Sequence, residues 1–247
     1  MADPAPPGPL VVADDLGSWP RKSDAILEAL EEGLVGAASA TAVFPDAERA
    51  AAAVRERGLA GVVGAHLVLT EWEPLTDAMR RSRFCDADGR FTGGLRRGHL
   101  VRLGADDRRL VAGEVRAQLE RLRTLGLPLS HVDSHHHAHN HLPIGAIVGA
   151  LARELGVPRV RLGRNFGPGR SLRYRAYIAV LNGRLRRGGL AGTTYFGAVS
   201  AYRALTPADR ARGTYELHAH PLLAEDGRVV EETAPESSLA AYLDGLA

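Results

Sequence analysis

Short apolar segments alternate with helix-forming segments along almost the whole chain, and this alternation constrains the fold more than any other feature. It predicts strands at residues 10–13, 39–44, 59–69, 130–133, 158–162, 193–197 and 214–218. It predicts helices at residues 23–30, 46–58, 107–125, 144–155, 174–185, 205–212 and 239–243. Because strand–helix–strand crossovers are right-handed and return to the same sheet, six or seven such units predict a parallel α/β sheet that forms a closed or nearly closed barrel.

One domain accounts for the length of the chain. The 247 residues fit a single large unit, which we place at residues 9–247. Residues 1–8 are rich in proline and are predicted to be a flexible lead-in. Residues 70–107 show no regular hydrophobic pattern, which predicts a long insertion that covers or shapes a binding site. No GxGxxG pattern follows the first predicted strand, so a dinucleotide-binding fold has no support.

The charge balance argues against some partners. The formal net charge is only +2, so we expect no strong attraction to nucleic acid or to membranes. The basic stretch 184–187 is interpreted as a solvated face. Cys85 is the only cysteine and cannot form an internal disulfide. We recognise neither a signal-peptide pattern nor an apolar run long enough to span a bilayer, and we therefore expect a cytoplasmic protein.

Polar residues with metal-binding chemistry follow several of the predicted strands. Asp14 and Asp15 follow the first strand, and His66 lies near the end of the third. Residues 131–141 read HVDSHHHAHNH and contain six of the ten histidines, and His220 follows the last strand. Barrel enzymes place their chemistry at the C-terminal ends of their strands, where neighbouring strands open onto one face. We therefore expect these residues to lie close together.

This set of residues matches the ligands of a divalent cation. A hydrolytic metal site uses about three protein ligands, and imidazole and carboxylate donors suit zinc and related ions. Asp15, His66 and one histidine of the central stretch would supply them. If the strand continues into the stretch, alternate residues share a face, which favours His135 and turns His136 away. Simpler interpretations stay open, namely a solvated histidine-rich loop, a hydrogen-bonded core histidine and an ordinary aspartate turn.

Four sequence blocks resemble a known family. VVADDLG, GAHLVLTE, HVDSHHHAHNH and YELHAHP occur in this order between Val11 and Pro221. They resemble the signature blocks of the YdjC/ChbG family of carbohydrate deacetylases. The resemblance implies a distorted, seven-stranded TIM-like β/α barrel that removes an N-acetyl group from an acetylated amino sugar or glycoconjugate. It further implies one divalent metal ion (magnesium or zinc), a small carbohydrate or glycolipid substrate, and a homodimer.

The resemblance also implies roles for individual residues. The metal ligands are Asp15, His66 and His135. The general base is Asp14, and the general acid is His220. Residues that line the substrate cleft are Arg161, Tyr195, Phe196 and Gly197, to which we add His137 from the central stretch. The chain departs from the usual family residues at Val12, Leu16 and His218, which leaves the substrate open.

Two other functions remain as alternatives. A different metal hydrolase on the same barrel would act on a phosphoester or another amide, and it would release phosphate or another product instead of acetate. A non-catalytic relative would bind a sugar or a metal without turnover. The filled base, acid and ligand positions argue against the non-catalytic alternative.

Overall fold

The computed structural model describes residues 8–96, 101–190 and 192–246, and its core is a parallel sheet. Its six strands lie in the order β4-β3-β2-β1-β6-β5, and all five pairings are parallel. The strands are β1 Leu10–Leu16, β2 Ala37–Ala40, β3 Val63–Leu67, β4 Val132–Ser134, β5 Tyr195–Ala198 and β6 Tyr215–Ala219. The sheet curls into half of a barrel. The predicted lead-in lies outside the described residues, apart from Gly8.

The expected seven-stranded barrel is realised only in part, because in the part of the chain that the structure describes the fifth predicted strand forms bridge residues at Arg159 and Val160 and no continuous strand. Val160 pairs with Val132 of β4. Pro158 has no amide hydrogen to donate before this bridge. After the bridge, the Asn182 side chain binds both backbone groups of Gly163, at 2.8 and 3.1 Å. The segment therefore has few free backbone groups for a longer ladder, and the described sheet is a half-barrel.

Helices cover the sheet through their apolar faces. They are α1 Pro20–Glu31, α2 Ala47–Glu56, α3 Asp77–Arg80, α4 Ala105–Thr124, α5 Leu142–Glu154, α6 Leu172–Arg187, α7 Val199–Arg203, α8 Pro207–Arg210 and α9 Leu239–Leu243. In α4, Val111, Val115, Leu119 and Leu122 recur every three or four residues and are all buried. Burial of each such side chain contributes about 1.5–3 kcal/mol to stability. Among the described residues, no helix is both long and apolar enough to cross a membrane.

The described part of the predicted insertion is anchored to α4. The buried carboxylate of Glu114 accepts hydrogen bonds from the amides of Leu75 and Thr76, each at 2.9 Å. The Thr76 hydroxyl donates to the same carboxylate at 2.8 Å, and it also caps α3. Residues 97–100 of the insertion lie outside the described residues. A role for the insertion as a lid stays a prediction.

A small antiparallel sheet follows the parallel one, and the sequence pattern does not predict it. Its strands are β7 Pro221–Leu223, β8 Val229–Glu231 and β9 Ala234–Ser238. Each has only three to five residues, too few for a clear alternation of apolar and polar side chains. The closing helix α9 begins as predicted, since the Ser238 hydroxyl accepts a hydrogen bond from the Ala241 amide at 3.3 Å. This sheet positions Glu231 and Glu232 beside the end of β6.

Candidate metal and catalytic site

Three side chains at the ends of β1, β3 and β4 face one another. Asp15 lies near the end of β1, His66 lies in β3, and His135 directly follows β4. Asp15 Oδ1 is 3.2 Å from His66 Nε2 and 2.8 Å from His135 Nδ1. Each residue offers one ligand atom within 4.8 Å of the other two. The structure thus brings the three predicted metal ligands together, and two imidazoles with one carboxylate form a donor set that suits a divalent cation.

The backbone and a lysine orient Asp15. Its φ is 71°, a left-handed conformation that aspartate adopts more readily than most side chains. The Ser18 amide donates to the Asp15 carbonyl at 3.1 Å and closes the turn. Lys22 Nζ lies 3.2 Å from Asp15 Oδ2 and 2.9 Å from Glu232 Oε2. Lys22, the only lysine, therefore engages one oxygen of Asp15 and leaves the other facing the two histidines.

A further carboxylate contacts each of the two histidines. Asp133 Oδ1 is 2.6 Å from His66 Nδ1, and Glu71 Oε1 is 3.1 Å from His135 Nε2. A carboxylate on the far nitrogen of a metal-bound histidine fixes the ring and its tautomer. The sequence interpretation gives no role to Asp133 or Glu71. What could have indicated Asp133 and Glu71 is that they lie inside the blocks HVDS and LTE, close in sequence to residues to which the sequence interpretation does give a role.

Arg161 occupies the buried floor of the site instead of the substrate cleft. Its guanidinium donates two hydrogen bonds to Asp14, at 2.7 and 2.8 Å, and lies 2.7 Å from Asp133 Oδ2. Its Nε donates to Glu216, and its flat face lies 4.9 Å from the ring centre of Phe196. Arg161 is only 1% exposed. It can therefore pair with and position these carboxylates, and its low exposure leaves it little surface for contact with a ligand.

These contacts shift the pKa values of the catalytic candidates in opposite directions. Burial opposes ionisation of Asp14, but Arg161 and the neighbouring His66 hold its pKa well below the usual range. Burial disfavours protonation of His66, but Asp133 and Asp14 raise its pKa to about 10 in the absence of a cation. Burial acts the same way on His220, yet Glu231 and Asp14 raise its pKa. An ionised carboxylate thus shares the site with a histidine that holds a proton.

A cavity of about 520 Å³ opens onto these residues. It is lined by Asp14, Asp15, His66, Arg96, Ser134, His135, His136, His137, His220, Glu232 and Thr233. The set includes all five predicted ligand and catalytic residues, together with His137. Another cavity of similar volume, about 540 Å³, lies at the strand starts, at the far end of the sheet from the five catalytic and metal candidates. The cavity at the strand ends is therefore the candidate active site.

Comparison with known proteins agrees with the fold and the sequence blocks. A crystal structure of an Enterococcus faecalis protein superposes with a TM-score of 0.63 over 88% of this chain and 82% of that one, at 21% sequence identity. The family profile described as YdjC-like protein matches residues 10–242. This chain belongs to the YdjC-like family.

Relatives of this YdjC-like chain have names that specify an activity. Proteins named carbohydrate deacetylase from Brevibacillus brevis and Geobacillus stearothermophilus are each 38% identical over 149 residues, which is 60% of this chain. A protein named chitooligosaccharide deacetylase from Yersinia pestis is 36% identical over 152 residues. The matched part spans 57% of the length of each of these three relatives.

The substrate residues predicted for this YdjC-like chain are not all at the cavity. His137 lines it, and the buried Nδ1 of His137 has no hydrogen-bond partner among the described residues. Phe196 is fully buried beneath Arg161, and Tyr195 stacks on Tyr215 at 4.7 Å. Gly197 packs closely against Phe166. These three residues belong to strand β5, and Phe196 supports the floor of the site from behind through its contact with Arg161.

The histidine stretch leaves the strand earlier than the alternation assumed. β4 ends at Ser134, and His136 and His137 adopt left-handed φ values of 53° and 55°. The expected single face of alternate residues therefore ends at His135. His139 turns inward, where its Nδ1 lies 2.6 Å from the Ser134 hydroxyl. The left-handed turn allows consecutive histidines to line the same cavity, which a straight strand would prevent.

An aromatic wall borders the metal ligands. We use this name for Trp19, Phe44 and Trp72, whose ring centres lie 5.3–6.3 Å apart. Phe44 reaches within 6.0 Å of the His135 ring. Trp19 is 47% exposed, and Arg90 lies over Trp72 at 5.6 Å. The wall gives one side of the site an apolar border with a polar rim.

The free energy of unfolding of the metal-free protein is expected to be greatest near pH 6.5, the usual histidine pKa. Burial lowers the pKa values of His131 and His139 to about 4. Below pH 6.5 the unfolded chain therefore binds protons that these two folded histidines do not bind, so the stability falls toward pH 4. The pKa values of three other histidines are raised, namely His66, His135 and His220. Above pH 6.5 these histidines keep protons in the folded protein that the unfolded chain has lost, so the stability falls again. Each proton contributes a slope of up to about 1.4 kcal/mol per pH unit. Urea titrations across the range check this, and a stability that changes in one direction only would contradict it.

Proposed function

We propose that this chain is a metal-dependent hydrolase that removes the N-acetyl group from an acetylated amino sugar or glycoconjugate and releases acetate. The observation that carries the proposal is the convergence of Asp15, His66 and His135 beside Asp14 and His220 in one cavity. The names of the relatives, carbohydrate deacetylase and chitooligosaccharide deacetylase, support the same reaction.

Asp15, His66 and His135 would hold one divalent cation. His66 Nδ1 faces Asp133, so Nε2 is the nitrogen that remains for the cation, next to Asp15 Oδ1. Three protein ligands leave room for water and substrate. When bound, the cation lowers the pKa of water and polarises the amide carbonyl. Two imidazoles favour zinc, and the carboxylate also suits magnesium.

Asp14 would act on the attacking water. Its carboxylate lies in the cavity wall, and the two hydrogen bonds from Arg161 fix its plane. Its low pKa keeps it ionised at neutral pH and ready to accept a proton. The low pKa also makes it a weak base, so we expect alignment of the water to contribute as much as proton affinity.

His220 would act on the leaving group. Its raised pKa favours the protonated imidazole, and Glu231 Oε1 lies 3.5 Å from Nδ1 of the ring. An amide nitrogen leaves poorly as an anion, so a proton must reach it as the carbon–nitrogen bond breaks. Nε2 of His220 would donate that proton. The products are acetate and a free amine on the sugar.

The cavity and the aromatic wall suit a sugar. A volume of about 520 Å³ is in the range of small-molecule sites, and such sites combine apolar surface with a few polar groups. The exposed indole of Trp19 offers a flat face to the carbon–hydrogen side of a pyranose ring. His137, with its unpartnered Nδ1, offers a polar contact to a hydroxyl group. Arg161, Tyr195, Phe196 and Gly197 would position the site from behind the cavity.

Glu71→Gln is expected to weaken metal binding about 10–100-fold, the usual effect of removing a carboxylate that orients a metal-bound histidine. Glu71 contacts His135 Nε2 at 3.1 Å, and its side chain is 40% exposed, so the fold should tolerate the change. Glu73→Gln is the matched control, because Glu73 has similar exposure but pairs with Arg90 instead. Calorimetric titration of the metal-free variants with zinc measures both affinities. Equal affinities in the two variants would remove Glu71 from the site.

An acetate-release assay tests the function directly. N-acetylglucosamine, its short oligomers and glycolipid-type acetamides would be incubated with metal-free protein, with and without added zinc or magnesium. We expect acetate from at least one of these classes, and only with added metal. Phosphate release from generic phosphoesters without acetate release would favour the alternative hydrolase. Sugar binding without any product would favour a non-catalytic member.

A further inference from the structure

The basic residues of this chain are concentrated in one segment. Residues 155–208 carry ten of the 31 basic side chains and none of the 29 acidic ones. The net charge of +2 therefore conceals a strongly positive segment within an otherwise acidic chain. Five of the ten arginines lie on the single helix α6, which has no acidic residue.

The outward face of α6 combines this charge with exposed apolar side chains. Leu172, Ala176 and Val180 are spaced by four residues and so share one face of the helix. Leu172 is 80% exposed and Val180 is 49% exposed, and both are among the five large apolar residues that are exposed in the described part of the chain. Exposed arginines flank or interrupt this stripe, at positions Arg173, Arg175, Arg184, Arg186 and Arg187. Within the part of the chain that the structure describes, none of the five forms an ion pair with a carboxylate.

The opposite face fixes α6 firmly in place. Ile178, Leu181 and Leu185 are buried, and α6 packs on α5. The Tyr177 hydroxyl donates to the Asn140 carbonyl at 2.8 Å, at the end of the histidine turn. The apolar stripe is therefore the outer surface of a well-packed helix.

We propose that α6 binds peripherally to the surface of an anionic lipid bilayer. Helices that lie on membranes pair apolar residues, which enter the boundary of the acyl chains, with arginine and lysine residues, which bind phosphate headgroups. α6 presents both kinds of residue on one rigid face. Pairing of two copies through this face would bring the arginines of both helices together without carboxylates to neutralise them. A nucleic acid would match the charge but not the apolar stripe.

Sedimentation with vesicles tests the proposal. The full chain is mixed with vesicles of phosphatidylcholine, with or without phosphatidylglycerol. We expect binding to the anionic vesicles, weakened by salt, and little binding to the neutral ones. Arg173→Gln with Arg184→Gln should lower the partition coefficient about 30-fold, from the contribution typical of two surface arginines. Leu172→Ser with Val180→Ser should also lower it, which a purely electrostatic contact would not predict.

A charge-matched control distinguishes the contribution of this helix face to vesicle binding from that of the overall charge. Arg109→Gln with Arg121→Gln removes one exposed and one partly exposed arginine from α4 and should leave vesicle binding almost unchanged. Absence of binding to anionic vesicles would overturn the proposal. Equal losses in the α4 and α6 variants, or unchanged binding after both serine substitutions, would also overturn it. Binding is measured without substrate, so the result is independent of the deacetylase reaction.

Discussion

Asp14→Asn is expected to lower kcat for acetate release by about 10²–10⁴-fold, the range typical of a lost general base. The amide of asparagine cannot accept the proton from water, although it nearly keeps the shape of the carboxylate. The three metal ligands are unchanged, so zinc affinity should stay close to that of the parent protein. Turnover measured with saturating zinc, together with zinc titration, separates loss of chemistry from loss of metal.

The control for this experiment is an aspartate of the same chain that lies on the surface. Asp77→Asn changes the N-terminal residue of α3, whose side chain is 73% exposed, and should leave kcat unchanged. Asp14→Asn also removes one partner of Arg161, so thermal unfolding must be followed in parallel. A folded Asp14→Asn variant with a near-normal rate would overturn the assignment of Asp14 as the base.

Arg161→Gln is expected to destabilise the protein by about 3–5 kcal/mol or more, the usual cost of breaking a buried ion pair from one side. Arg161 pairs with Asp14, Asp133 and Glu216, and its side chain is completely buried. Without it, these carboxylates would repel one another in a region of low dielectric constant. Urea unfolding at neutral pH measures the loss.

A matched control and a rescue make this prediction specific. Arg96→Gln removes an arginine that is 51% exposed beside Glu71, and its effect should stay below about 1 kcal/mol. Adding Glu216→Gln to Arg161→Gln should recover part of the lost stability, because one uncompensated charge disappears. Equal stability of the Arg96 and Arg161 variants would contradict the proposed role of Arg161.

Much of the site can be predicted from the sequence because its metal-binding and catalytic residues lie at strand ends. Asp15 and His66 each lie near the end of an apolar segment, and parallel strands place such ends on one edge. His135 is also predictable, since it directly follows the segment that becomes β4. These three positions follow from the local hydrophobic pattern, which a single sequence contains, and from the handedness of crossovers, which is a general rule for parallel sheets.

Other parts of the site depend on contacts between distant residues. The pairing of Arg161 with Asp14 joins positions 147 residues apart, and no local pattern specifies it. The antiparallel sheet that carries Glu231 has strands too short to show periodicity. The left-handed turn at His136 and His137 also departs from propensity, as non-glycine residues rarely adopt it. Tertiary packing decides each of these features.

Zinc titration of two single-histidine variants tests the central claim most directly. Two groups of side chains in the described residues could hold a cation through His135: one with Asp15 and His66, the other with Glu71 and His136. We predict that His66→Ala lowers zinc affinity by more than about 100-fold, beyond the effect of an orienting residue, whereas His136→Ala retains most of it. Loss of zinc binding in His136→Ala, with normal binding in His66→Ala, would contradict the site proposed for this chain.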